Sequence, residues 1–246
     1  MRVDTVTVRG ELARHPSASF LVAPGLGGRV SHGFGLRGVT AARLAECLGS
    51  AVARVIEVRQ VHGDTILKMG DLPGSDGAAA ADGDALMTDR PGWLLAVRTA
   101  DCVPILIHDP VRRVVAAVHA GWRGTLKQIT SKTIAATTAA YGVCPDDLRV
   151  AIGPSARRCC YEVDETVLAP LRRLRSDHAA FTSARAADRA LLDLAGLNAR
   201  QVADAGVPAA QIAVLDACTI CRTEFGSYRR EGPGMQSMAS GIMLVP

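Results

Sequence analysis

Aromatic residues are scarce: four Phe, three Tyr and two Trp in 246 residues. No aromatic platform for stacking nucleic-acid bases is evident, so Ala, Val and Leu must supply most of the core. No run approaches the roughly 18 consecutive apolar residues of a membrane span. The opening stretch MRVDTVTVRGELARH lacks the apolar centre of a secretory signal. Histidine is limited to six residues, without a His-x-His pair. A true laccase, whose copper cluster needs such pairs in repetition, is therefore disfavoured. Charge of one sign is also lacking, the formal balance being +4. Arg172, Arg173 and Arg175 form a local cluster that reads as a solvated helix face, so neither a nucleic-acid nor a membrane partner is expected.

What is present is a globular composition, 48% hydrophobic and 21% charged. Neither an internal repeat nor a clear boundary divides it, and a single domain over 1–246 is predicted. Seven cysteines are an odd number in a chain too long to need staples. Reduced thiols in the cytoplasm are the expectation.

The pattern predicts strands over 3–8, 93–99, 103–109, 113–120 and 148–153, with two more over 53–69 broken near His62 and Gly63. DPVRR between the third and fourth has hairpin chemistry. Extended structure is expected over 211–221 and 241–246. Helices are predicted over 40–50, capped by Thr40 and stopped by Gly49, and over 124–142, 164–176 and 189–205. Residues 20–38 read as glycine-rich and irregular, and 70–84 as a long loop. Strands and helices mix without strict alternation, which favours α/β with a mixed sheet.

Cys102 and His119 flank the most strand-like segment, seventeen positions apart. Strand ends are where α/β sheets build sites. His62, in RQVHGD, lies near a third strand end. A His, Cys, His set would leave a fourth metal position open, as catalytic zinc requires. Two other readings stand beside it: Cys102 as a nucleophile with His119 as its base, and a buried thiol with two satisfied histidines. Arg59 and Gln60 precede His62 and are candidates for the same crevice. Arg123 opens a helix, where backbone N–H groups favour an anion such as phosphate, or it forms a surface ion pair. Asp101 reads as a turn cap or as a group orienting a ligand. Cys218 and Cys221 make a C-x-x-C, but no second pair has ribbon-like spacing. Adjacent Cys159 and Cys160 look too constrained to serve easily, so buried or site-lining thiols are the expectation over a second metal. Arg229, in SYRREG, is the preferred substrate contact of its pair with Arg230.

RQVHGD, DGDALMT, TADCVPILIHDP, VHAGWRGT, AIGPS…CCYEV, LDLAGLNARQ and CTIC…SYRREG occur in this order. Together they resemble the YfiH family, also called the laccase-domain or multicopper polyphenol oxidase family, from about residue 57 to the C-terminus. The resemblance implies a four-layer α/β/β/α fold similar to cytotoxic necrotizing factors, with His62, Cys102 and His119 as zinc ligands. It further implies a zinc-dependent enzyme acting on purine nucleosides. The activities implied are deamination of adenosine and phosphorolysis of adenosine, inosine and methylthioadenosine, with phosphate near Arg123. Copper is the alternative metal. A rival is amidase-type editing of a peptidoglycan precursor, by metal-activated water or a Cys102 thiolate. A third reading is a non-catalytic, metal-braced binding protein. Two departures stand out. The region before about residue 56 is shortened relative to the family, and the family's TGR reads PGM at 233–235, which removes an arginine.

Overall fold

Two-residue alternation in the central strands divides the core. The computed structural model describes residues 6–8, 13–14, 19–49, 52, 54–69 and 81–246. In chain order the strands are β1 Val6–Val8, β2 Ala13–Arg14, β3 Phe20–Val22, β4 Val30–Gly35, β5 Arg54–Ile56, β6 Ile66–Lys68, β7 Ala85–Thr88 and β8 Trp93–Thr99. They continue as β9 Val103–Asp109, β10 Val114–Ala120, β11 Arg149–Ile152, β12 Glu162–Asp164, β13 Thr182–Ala186, β14 Arg189–Leu192, β15 Ile212–Leu215 and β16 Met238–Leu244. The helices are α1 Ala41–Leu48, α2 Trp122–Leu126, α3 Ile129–Tyr141, α4 Glu165–Leu174, α5 Leu194–Asp204 and α6 Tyr228–Glu231.

The strands form two large mixed sheets, ordered β1-β15-β11-β9-β10-β7-β6 and β2-β3-β4-β16-β8-β5, and a small sheet β12-β14-β13. Successive side chains of a strand point to opposite faces. In β10, Val114, Ala116, Val118 and Ala120 enter one core with Ile129, Leu171 and Leu197 of the helices. Val115 and Ala117 enter a second core with Leu95, Val97 and Ile242 of the other sheet. β8 and β16 turn Leu94, Ala96, Ala239 and Met243 outward onto Ala41 and Ala45 of α1. Helix, sheet, sheet and helix thus stack in four layers, as the resemblance implied. Both central strands are buried on both faces, which is why they read as continuous apolar runs.

Thr40 caps α1, accepting from the Arg43 N–H at 3.1 Å, and Gly49 ends it. The helix expected over 124–142 is two, α2 and α3, because Gln128 adopts a left-handed φ of 62°. Residues 189–192, expected as helix, form β14, and α5 begins after Asp193, whose carboxylate accepts the Gly196 N–H. β4 runs through a segment expected to be irregular. Its Gly33 makes room for the Phe20 ring, since a Cβ there would lie 2.5 Å from Phe20 Cδ2. Of the strand expected over 3–8, residues 3–5 lie outside the described residues, as do 70–80 of the expected loop.

His32 on β4 is buried, with Nε2 3.1 Å from both the N–H and the carbonyl oxygen of Ala23. Burial pushes its pKa down to about 4, against its hydrogen bond with Ala23 and with help from His108. The unfolded chain, with His near 6.5, takes up this proton first. The share of stability linked to His32 is therefore full above about pH 6.5 and falls between 6.5 and 4, by about 1–2 kcal/mol at pH 5. Urea unfolding at pH 7 and pH 5 should show this loss, and His32→Gln should lack this share of the slope.

Candidate active site

The hairpin β9–β10 explains the spacing of Cys102 and His119. Val103 pairs with Ala120 and Pro104 with His119. One further step sets Cys102 opposite Gly121, so residues at the two ends of the segment meet. Cys102 lies in the short passage from β8 in one sheet to β9 in the other. Gly121 is required by contact: a Cβ there would sit 3.0 Å from Cys102 Sγ and 3.1 Å from His62 Cδ2. His62 comes from the loop between β5 and β6, with a positive φ of 57°.

One ligand atom from each of His62, Cys102 and His119 lies within 4.8 Å of the others. The two imidazoles meet edge to face, with centroids 4.8 Å apart. His119 is buried, Cys102 half-buried and His62 exposed, so the group is reached from one side. The donor set, two imidazoles and one sulfur, suits a borderline-soft divalent ion and supplies three protein ligands.

Asp84, immediately before β7, organises the triad. Its Oδ1 accepts the His119 Nδ1–H at 2.8 Å and the His62 backbone N–H at 3.0 Å. Its Oδ2 accepts the Gly63 and Val61 N–H groups at 2.7 and 3.4 Å. The Asp84 carbonyl takes the His119 N–H at 2.7 Å. One buried carboxylate thus fixes the His62 loop and holds the His119 proton on Nδ1, leaving Nε2 for the site. Burial alone would raise the Asp84 pKa, but His119 and the loop N–H groups outweigh it and keep it low. Burial would likewise raise Cys102, yet His119 and His62 bring it down to about 7. Burial opposes charge on His119, but Asp84 and Cys102 lift it to about 9. Without a metal, each of the two favours the charged form of the other.

A cavity of about 360 Å³ is lined by Trp122, Tyr161, Glu162, Asp164, Arg189 and Arg229, among others. Tyr161 links it to the triad. Burial first, then Cys102, pushes the Tyr161 pKa up to about 12, while Arg229 and Arg123 pull the other way. Arg229 lies over the Tyr161 ring, 5.3 Å from its centroid, and donates to the Glu162 carbonyl at 2.8 Å. Arg123 is exposed and stacks on Trp122 at 4.2 Å. Arg229 therefore stands over Tyr161 in the cavity lining, and Arg123 lies on the neighbouring Trp122. Arg59 and Gln60 are spent on the protein: Arg59 pairs with Asp82 at the surface, and Gln60 bonds the Arg98 backbone through both ends of its amide. Asp101 touches no ligand of the triad. It accepts Thr219 Oγ1–H and Arg229 N–H, each at 2.6 Å, and so ties three loops together.

Sequence reasoning passed over two features. Asp84 hid in DGD, three turn-forming residues after a low-complexity stretch; its place one residue before an apolar strand was the available signal. Cys159, Cys160, Cys218 and Cys221 also come together, their sulfurs all within 4.8 Å. The adjacent pair is not too constrained to join the C-x-x-C, and Cys159 and Cys221 are exposed rather than buried.

An α/β/β/α fold carrying an open His–Cys–His triad, with a carboxylate behind it and a cavity of mixed charge beside it, defines a class of small-molecule enzymes. The chain belongs to the multi-copper polyphenol oxidoreductase laccase family, whose model matches residues 39–245. It is 37% identical over 196 residues to the purine nucleoside phosphorylase YlmD of Geobacillus stearothermophilus, covering 77% of this chain and 72% of the relative. It is 33% identical over 206 residues to the adenosine deaminase RL5 of an unknown prokaryote, covering 81% and 78%. The crystal structure of G. stearothermophilus YlmD superposes with a TM-score of 0.85 at 30% identity, over 96% of this chain and all of that one. Bacillus licheniformis YfiH superposes with a TM-score of 0.84 at 29% identity, over 94% and 98%. Among the described residues, no helix is long and apolar enough to cross a membrane.

Asp84→Asn keeps the shape but loses the charge and one acceptor. Zinc affinity of the triad, measured by competition with a chromogenic chelator, should fall about 10–100-fold while circular dichroism stays unchanged. Unaltered affinity would remove Asp84 from this role.

Proposed function

We propose that the chain is a zinc-dependent purine nucleoside enzyme. In this reading it cleaves adenosine, inosine and methylthioadenosine with phosphate, giving the free base and the sugar 1-phosphate. It also converts adenosine and water to inosine and ammonia. The observation that carries the reading is the open triad backed by Asp84 and set beside the Arg229–Tyr161 cavity. The relatives' names, purine nucleoside phosphorylase and adenosine deaminase, support the substrate class.

His62, Cys102 and His119 would hold the ion, and their donor chemistry fits zinc or copper. When bound, the ion supplies Lewis acidity and brings the pKa of water toward about 7. Asp84 keeps the His119 Nδ1 proton in place, so the ring presents Nε2 throughout. Trp122 and Tyr161 line the cavity and would give a purine ring aromatic contact there. Arg229 and Arg123 supply positive charge for phosphate and for negative charge that develops as the bond breaks. The reading places the enzyme in the cytoplasm, where reduced thiols and phosphate coexist.

The low Cys102 pKa favours a second reading, in which metal-free Cys102 attacks a peptidoglycan-precursor amide with His119 as its proton donor. The two separate cleanly. Zinc-loaded protein with adenosine and phosphate should yield adenine and ribose 1-phosphate, and without phosphate inosine and ammonia. A chelator, or Cys102→Ala, should lower both rates at least about 100-fold. Failure to form either product, together with release of an amino acid from a UDP-muramoyl substrate by chelator-treated protein, would favour the thiol.

Arg229→Ala should raise KM for phosphate about tenfold, equivalent to about 1.4 kcal/mol, with a smaller change in kcat. An unchanged phosphate KM would remove Arg229 from phosphate binding.

A further inference from the structure

We propose that Cys159, Cys160, Cys218 and Cys221 form a second metal site, a closed four-thiolate zinc site that braces the wall of the cavity. The four sulfurs all lie within 4.8 Å of one another. Cys160 and Cys221 approach to 2.9 Å and Cys159 and Cys221 to 3.6 Å. A tetrahedral zinc with Zn–S bonds of about 2.3 Å sets its sulfurs about 3.8 Å apart, so small shifts of these side chains complete the geometry.

The backbone brings the two cysteine pairs together independently of the sulfurs. Ser155 and Cys218 form a parallel bridge. Ser155 N–H donates to the Ala217 carbonyl at 3.2 Å, and Thr219 N–H donates to the Ser155 carbonyl at 3.1 Å. A turn closed by Cys160 N–H to the Arg157 carbonyl, at 2.9 Å, presents the adjacent pair. Arg230 donates to the Thr219 and Ile220 carbonyls at 2.6 and 2.9 Å, holding the C-x-x-C loop from behind.

Cys218 is the buried member of the four, while Cys159 and Cys221 open the cluster to solvent. Four thiols cannot all ionise in so small a space without a cation between them. Binding zinc displaces the remaining thiol protons and leaves a net charge of −2 on the metal and its sulfurs. Arg157, Arg158 and Arg222 flank the four cysteines in sequence and bring positive charge to the same segments.

Four protein ligands leave no position for water, so this site is structural rather than catalytic. Its place gives it a purpose. Tyr161, which follows Cys160, lines the cavity. Thr219, which follows Cys218, bonds Asp101, the residue before Cys102. A metal here would fix both walls relative to the triad.

The test reads metal and thiols, not nucleoside turnover, so it stands apart from the proposed function. Reduced protein carrying His62→Ala and Cys102→Ser, which disable the triad, is titrated with Zn²⁺ against a chromogenic chelator. One equivalent should bind, and adding Cys218→Ser and Cys221→Ser should weaken it at least about 100-fold. Should those variants fail to fold, the unsubstituted protein is treated with iodoacetamide, with and without Zn²⁺, and mapped by mass spectrometry. Zinc should protect all four cysteines together, and a chelator should restore their labelling. No zinc binding by the folded triad-disabled protein, equal labelling of the four with and without zinc, or a Cys160–Cys221 disulfide in protein kept under reductant would each overturn the proposal.

Discussion

The site depends on one buried carboxylate. Asp84 accepts hydrogen bonds from three successive backbone N–H groups of the His62 loop and from the His119 ring. Those donors come from two segments far apart in sequence. That shared anion holds His62, an exposed loop residue with a strained φ of 57°, against a strand-borne histidine. The same charge sets the tautomer of His119 and raises its pKa, which in turn lowers that of Cys102. Position, protonation and ligand chemistry are thus consequences of a single residue.

The fold supplies the rest through register. The β9–β10 hairpin brings its two ends into contact, and the passage from β8 to β9 carries Cys102 from one sheet to the other at that end. Asp84 enters in the same way: Ala85 pairs with Val118, so Asp84 falls beside His119. Cys102, His119 and Asp84 therefore sit at the ends of strands whose interiors are fully buried, and His62 reaches them from a loop. A rigid base of this kind holds groups more precisely than loops alone. The cavity wall is built from the small sheet and from helices, with residues of β12, β14, α2, α4 and α6, and Asp101, whose two oxygens receive Thr219 and Arg229, ties α6 to the site.

Much of this was legible in the chain. Continuous β-branched runs with a turn between them gave the hairpin, and the hairpin brought Cys102 and His119 together. Thr40 and Gly49 bounded α1. Three kinds of feature were not legible. Exposed strands such as β13, with no apolar alternation, carry no periodic signal. The break at Gln128 arises from a single left-handed residue of a type that rarely adopts that conformation. Convergence across more than fifty residues, as between Cys160 and Cys221, depends on strand order, which local pattern does not encode. Arg59 and Gln60 belong with these: adjacency to a ligand in sequence did not direct their side chains, because Asp82 and the Arg98 backbone were nearer partners.

The family's name points to copper oxidase chemistry, whereas the triad offers three ligands and one point of access. A site of that kind suits Lewis-acid chemistry on a small molecule better than electron transfer among several coppers. The most direct check is a crystal of metal-loaded protein measured on both sides of the zinc absorption edge. An anomalous peak about 2.0–2.3 Å from nitrogen atoms of His62 and His119 and from the sulfur of Cys102 is predicted. A map with no peak among those three side chains, in crystals grown with excess zinc, would contradict the account.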